Sequence, residues 1–132
     1  MPATYPTTSL KLKVTSQPGT LGPIFDLELG ADGGPQLVED SAQLCQAERT
    51  ALLMVRGEAW ENPGRGMPWL DLKGMKPPNS TVFRIELLNE LRKEPRIREV
   101  TSILFSEDIA RRELSATAYA KAVDGSSLKV EI

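Results

Sequence analysis

Apolar and polar positions alternate with period two at the start of the chain. From Ser9 to Gln17, Leu10, Leu12 and Val14 interleave with Lys11, Lys13 and Thr15, the spacing of a half-buried strand. Pro18-Gly19 is a break. A second alternation runs from Ile24 to Leu29, with Phe25, Leu27 and Leu29 opposite Asp26 and Glu28, and Ala31-Asp32-Gly33-Gly34-Pro35 ends it. The period then changes. Leu44, Ala47, Ala51, Leu52 and Val55 follow the spacing of one buried helix face. Asp40 or Ser41 supplies the N-cap, with Glu39 and Asp40 at the positive end of the dipole, and Gly57 supplies the C-cap. Cys45 sits beside the stripe and reads as a buried, inert thiol.

Residues 57–78 interrupt the pattern with Gly57, Pro63, Gly64, Gly66, Pro68, Gly74, Pro77 and Pro78. A connection of that length is functional or disordered, and Trp60, Met67, Trp69, Leu70 and Leu72 give this one reason to pack. Asn79 or Ser80 starts a second helix, whose stripe is Phe83, Leu87, Leu88 and Leu91. Pro95 stops it, because the residue before a proline is pushed out of the helical region. From Ile97 the chain reads as strands. Ile97, Glu99, Thr101, Ile103 and Phe105 face one way, and Arg98, Val100, Ser102 and Leu104 the other. Leu114, Ala116, Ala118 and Ala120 alternate with Ser115, Thr117, Tyr119 and Lys121; Asp124-Gly125 is a turn; Leu128, Val130 and Ile132 alternate with Lys129 and Glu131. Strands followed by helices and then strands predict an α+β fold: a small mixed or antiparallel sheet of about four to five strands, covered on one face by two main helices. Residues 1–8 are Pro/Thr-rich and read as a loose start.

Composition narrows the chemistry. The 132 residues contain one cysteine and no histidine. No imidazole base is present, so Ser-His-Asp and Cys-His catalysis are excluded, as are a structural zinc site and an intramolecular disulfide. No metal or other cofactor is implied, and acid-base chemistry would fall to carboxylates, Lys or Tyr. The length fits one domain that buries roughly two-thirds of its unfolded surface. Lys+Arg total 16 and Asp+Glu 18, a net charge of -2, and aromatics are 5%. That balance argues against a nucleic-acid partner. The start of the chain lacks a basic-then-apolar leader and no apolar run has the ~20 residues of a spanning helix, so the expectation is a cytosol-made protein with no membrane partner.

Three features carry candidate function. The segment from Gly57 to Trp69 has no phosphate-loop spacing. Trp60, Gly64, Gly66 and Trp69 read either as a compact loop whose tryptophans plug the core or as an interface loop with a tryptophan anchor. Glu94-Pro95-Arg96 places an acid and a guanidinium around a stiff corner. If that corner is extended, both side chains project to one side, as a surface ion pair or as a hook for a partner's charges. The last strand, Leu128, Lys129, Val130, Glu131 and Ile132, reads either as a sheet edge open to strand addition or as one blunted by its charges. Glu58, Glu61 and Asp71 leave one enzyme alternative, a carboxylate-dependent, lysozyme-like cell-wall glycosidase.

The order of motifs resembles a known family. A helix carrying Gln46, then Leu52-Leu53-Met54-Val55-Arg56-Gly57-Glu58, the Gly64–Gly66 segment, a second helix ending in Glu94-Pro95-Arg96-Ile97 and terminal strands are similar to the sheath initiator. That is the small baseplate wedge protein of contractile phage tails, with relatives in type VI secretion baseplates. The resemblance covers residues 37–132, the wedge domain, and leaves 1–36 as an N-terminal arm and strand-like lead-in. Lys93 stands where many members have an apolar residue. The resemblance implies a structural, non-enzymatic part of the virion tail baseplate, assembled in the host cytoplasm. Glu94, Pro95 and Arg96 would dock it on the wedge core, and the terminal strands would nucleate the sheath by strand addition. Implied partners are other wedge proteins, the tail sheath protein and hub proteins near the tube, with one copy per wedge of a six-fold baseplate.

Overall fold

The computed structural model describes residues 8–15, 24–75, 79–108, 110 and 113–132. Residues 1–7 of the loose start, the Pro18-Gly19 break and the Pro77-Pro78 step lie outside them. The fold is α+β, with three helices and three small antiparallel sheets among the described residues. The chain divides into two compact units, Met1–Gln46 and Ala47–Ile132, so the boundary falls inside the first helix.

In the first unit the alternating segment is two strands. β1 (Thr8–Leu10) pairs with β4 (Leu37–Glu39), and β2 (Leu12–Thr15) pairs with β3 (Ile24–Leu27). Lys11 is the switch. Its N–H donates to the Gln36 carbonyl at 2.8 Å, and its own carbonyl accepts from Glu28 at 3.0 Å. Gln46 stitches both strands to helix α1 (Asp40–Leu53), accepting from Leu12 N–H at 2.9 Å and donating to the Leu10 carbonyl at 2.8 Å. The apolar face is only partly covered, since Leu10, Leu27, Leu29 and Leu37 stay 43–60% exposed.

The second unit holds the main core. Helix α1 ends at Leu53 rather than near Gly57, because Val55 leaves the helix to bridge Met67 in parallel. The Gly/Pro segment contains a further short helix, α2 (Trp69–Gly74). Helix α3 (Ser80–Arg92) starts at the Asn79 cap, whose side-chain oxygen accepts from Thr81 and Val82 N–H at 3.0 and 3.2 Å. β5 (Ile97–Asp108), β6 (Glu113–Ala122) and β7 (Ser127–Glu131) then form one antiparallel sheet in that order.

Burial follows from the side chains each element offers. β6 turns Ala116, Ala118, Ala120 and Ala122 inward, and such small residues let helices approach the sheet closely. Leu52, Met67, Phe83, Leu87, Leu91, Ile103 and Val130 fill the space above them. The rings of Trp69, Phe83 and Phe105 tilt against one another, with centroids 5.5 and 5.3 Å apart. Along β5 the expected alternation fails. Register shifts fall between Ile97 and Glu99 and between Val100 and Ser102. They re-phase the strand, so Ile97, Val100, Ile103 and Phe105 face the core while Glu99 and Thr101 are exposed.

Candidate functional site

Two helices bring carboxylates into the interior beside the Gly-rich loop. Glu48 lies on the apolar stripe of α1, between Leu44 and Ala51. Glu90 lies on that of α3, between Leu87 and Leu91. Both are 0% exposed. Arg65, from the loop, bridges them, with Nη2 3.1 Å from Glu48 Oε1 and Nε 3.2 Å from Glu90 Oε1. The Gly66 N–H also donates to Glu90 Oε1 at 3.0 Å. Lys93 Nζ sits 2.8 Å from Glu90 Oε2 and donates as well to the Gly64 carbonyl. Gly64 and Gly66 are thus held by the end of α3. Lys93 is what holds Gly64.

The Glu94-Pro95-Arg96 corner follows directly and is a turn, not an extended segment. Ile97 N–H donates to the Glu94 carbonyl at 3.1 Å, and Pro95 occupies the position whose fixed φ suits such a turn. The acid therefore folds back onto its own corner. Glu94 Oε1 accepts from the Arg96 backbone N–H at 3.1 Å and from Arg96 Nε at 2.9 Å, while Oε2 lies 3.3 Å from Nη2. Glu94 is 8% exposed, so the two side chains do not project together into solvent; Pro95 forms the exposed ridge and the Arg96 guanidinium is held beside it in a fixed plane. The Arg96 carbonyl accepts from Val123 N–H at 2.9 Å, which fastens the corner to the end of β6.

Electrostatics make the loop and corner one cluster. Burial pushes the Glu48 carboxyl up to about 7; Arg65 pulls against this, and the Glu94 and Glu90 carboxylates add to the rise. Glu48 Oε2 has no hydrogen-bond partner. Burial also lifts Glu94, but the hydrogen bonds and charge of Arg96, aided by Arg65, more than offset it and hold Glu94 below the ordinary carboxylate value. Sequence reasoning singled out Glu94 and Arg96, noted Lys93 only as a departure from the resemblance, and missed Glu48, Arg65 and Glu90. The signal was present for the two acids, since each occupies a helical-period position among leucines and alanines.

The other candidates separate. Trp69 is a core residue, its Nε1–H donating to the Leu52 carbonyl at 3.0 Å, whereas Trp60 is 86% exposed. The core-plug reading of the loop thus fits Trp69, which packs against the core, and not Trp60. Met67, at 0% exposure, is the deeper plug. Glu58 caps its own turn, accepting from Val55 N–H at 3.1 Å; Glu61 and Asp71 are exposed. Cys45 is half-buried.

The sheet has two edges of different character. Ile132 and Ala116 exchange backbone hydrogen bonds at 2.9 and 3.0 Å, which fixes the phase of the ladder. Leu128, Val130 and Ile132 therefore bond toward β6, and the backbone groups of Ser127, Lys129 and Glu131 point outward. By the same alternation the Ile103 carbonyl points outward from β5. Arg84 covers it, with Nη1 donating at 2.9 Å and the guanidinium 4.8 Å over the Phe105 ring. The two register shifts distort β5 further. β5 is a capped, irregular edge and β7 a regular one.

Among curated proteins none matches the chain. The model of the contractile injection system sheath initiator family matches residues 21–125. That span starts before β3, earlier than the resemblance read at residue 37, and takes in α1, the Gly-rich loop, α3, the corner and the β6–β7 turn; β7 lies just beyond it. The match takes in well over half of the chain, which therefore belongs to the contractile injection system sheath initiator family, with a structural, sheath-related role at the tail and baseplate of such a system.

Proposed function

We propose that this protein docks on the wedge core of a contractile-tail baseplate through Glu94, Pro95 and Arg96 and starts the sheath by accepting a strand at the edge of β7. The supporting observation is the difference between the two sheet edges. An edge capped by an arginine and bent by bulges is poor at pairing, and a regular edge with outward N–H and C=O groups is good at it. A ladder of backbone bonds keeps a contracting sheath tied to its baseplate without needing a long side-chain code. At the corner, Glu94 serves as the positioning group. It fixes the plane of the Arg96 guanidinium beside the exposed Pro95 ridge, so little side-chain freedom is lost on docking.

In this reading residues 37–132 carry docking and sheath initiation and residues 1–36 form an arm. The exposed Trp60 is an additional anchor on the loop that carries Gly64 and Gly66. The partners are wedge proteins, the sheath protein and hub proteins near the tube, one copy serves each wedge, assembly takes place in the host cytoplasm, and no catalytic step is involved.

Arg96→Ala is expected to leave a folded chain with a lowered unfolding midpoint, because the largely buried Glu94 loses the guanidinium that keeps it ionised, and to weaken incorporation into purified baseplates. Normal occupancy would refute corner docking. Lys129→Pro removes one outward N–H and no bond to β6, because edge strands tolerate proline on that side. Its expected result is a folded protein whose attachment to sheath falls about tenfold, the scale of one lost hydrogen bond plus an obstructing ring. Sheath attachment at the wild-type level would overturn the strand-addition reading.

A further inference from the structure

The edge of β7 carries a charge pattern as well as backbone groups. Lys129 and Glu131 are the residues whose N–H and C=O point outward, and their side chains share the solvent face, opposite the buried Leu128 and Val130. They are 55% and 59% exposed, and Lys129 Nζ lies 2.7 Å from Glu131 Oε1. An ion pair this exposed holds itself together weakly, so both groups are available to charges on an adjoining strand. Tyr119 lies directly across from Lys129 on β6, so the inner side of that face is occupied and the approach is from the outer side.

A strand laid against β7 has its side chains sorted by the pleat. Residues opposite Lys129 and Glu131 stand on the solvent face, and the residue between them, opposite Val130, turns toward the core side beside Leu128 and Val130. All ladders between the described strands are antiparallel, and this sheet leaves one face to water, the arrangement antiparallel pairing suits. In an antiparallel neighbour, read from its N-terminal side, the first of these residues meets Glu131 and the last meets Lys129.

We propose, building on the strand-addition reading, that β7 selects its incoming strand by a basic–apolar–acidic triplet placed opposite Glu131, Val130 and Lys129. The inference names the partner segment by its chemistry: an extended stretch of the sheath partner, antiparallel to β7, with a basic residue two places before an acidic one. The reverse order would set like charges directly opposite each other at both positions, which is unfavourable.

Two short synthetic peptides of equal composition test this, one carrying Lys-Val-Glu and the other Glu-Val-Lys within alternating Thr and Val residues. Each is titrated into the full chain, and amide exchange is read at Ser127, Lys129 and Glu131. The expected result is protection of these amides by the Lys-Val-Glu peptide at about tenfold lower concentration than by the other, the scale of two opposed pairs replaced by two like ones. The double variant Lys129→Glu with Glu131→Lys keeps net charge and the pair within the strand, and it should reverse the preference. Equal protection by both peptides would overturn the charge code while leaving strand addition standing. Preference of the wild type for Glu-Val-Lys would overturn the antiparallel placement and so the triplet. Protection by neither peptide would remove strand addition and the code together.

Discussion

Gly66→Ala is expected to cost about 4 kcal/mol of folding stability, the sum of backbone strain and forced overlap. Gly66 has φ +104°, a region that residues with a Cβ rarely enter. A Cβ there would stand 2.8 Å from the Met54 carbonyl oxygen, 2.9 Å from Arg56 N and 3.0 Å from Val55 C. All three are backbone atoms, and the backbone around them is tied. Met67 N–H donates to the Met54 carbonyl and Arg56 N–H to the Met67 carbonyl, both at 2.9 Å, while the Gly66 N–H is bound to Glu90. Relief would require lifting the loop from the end of α1 and drawing the fully buried Met67 with it. Gly64 is the internal control. A Cβ there would meet only Asn62 Oδ1 at 3.7 Å, so Gly64→Ala should stay within about 0.5 kcal/mol of wild type. Urea unfolding of the two variants measures the difference. Equal midpoints would mean that the loop is not pinned between the two helices.

That asymmetry between the glycines was not readable from composition, where the two look alike. What was readable came from periodicity. The helical stripes over Leu44–Leu52 and Phe83–Leu91, the alternation of β6 and β7 and the Asp124-Gly125 turn all have structural counterparts, because each reflects which side chains a single element buries. The differences arise where an element answers to a partner instead. Ser9 to Thr15 alternates like one strand, yet Lys11 divides it between β4 and β3. β5 alternates in sequence, yet its bulges move Val100 onto the core face. Val55 fits the α1 stripe, yet its bridge to Met67 takes it out of the helix. The strands form three separate sheets because pairing partners, unlike periods, are set by tertiary contact.

The candidate site divides the same way. Glu94-Pro95-Arg96 was legible because proline fixes local geometry and because the resemblance drew attention to it. Its inward-folded acid was not, since the turn hydrogen bond decides where that carboxylate points. Glu48 and Glu90 were less legible, because acids on a helix ordinarily occupy its solvated face. Their positions among Leu44, Ala51, Leu87 and Leu91 indicate the opposite, and a buried acid requires a cation, which identifies Arg65 and Lys93. The same cluster explains why a structural part of a baseplate contains buried charge. It joins a glycine-rich loop, which could not otherwise hold one conformation, to the corner proposed to dock.

Arg65→Ala should then remove about 3–5 kcal/mol at neutral pH and above, the cost of leaving a buried charge without its partner. Of the two acids, Glu90 retains Lys93 and the Gly66 N–H, so Glu48 carries most of the loss. Its Oε2 already lacks a partner, and without Arg65 its remaining remedy is a proton. The pH dependence follows. Glu48 titrates near 7 in the folded chain against an ordinary 4.5, so between those values the native state binds more protons than the unfolded one. That contribution is fully present below the ordinary value and is lost as pH rises through 7, about 3 kcal/mol in all. Removing Arg65, which pulls the carboxyl down, moves the folded value higher still. The penalty of Arg65→Ala should therefore be small near pH 5 and largest near pH 8, where the variant must either bury an unpaired carboxylate or take up a proton that the unfolded chain does not bind. Combining Arg65→Ala with Glu48→Gln should restore most of the stability near pH 8 and flatten the slope, because the amide has the same shape and no charge. Urea midpoints of the four proteins across that range form the cycle. A penalty that does not vary with pH, or a double variant as weak as Arg65→Ala alone, would show that Arg65 holds the loop by packing rather than by neutralising Glu48.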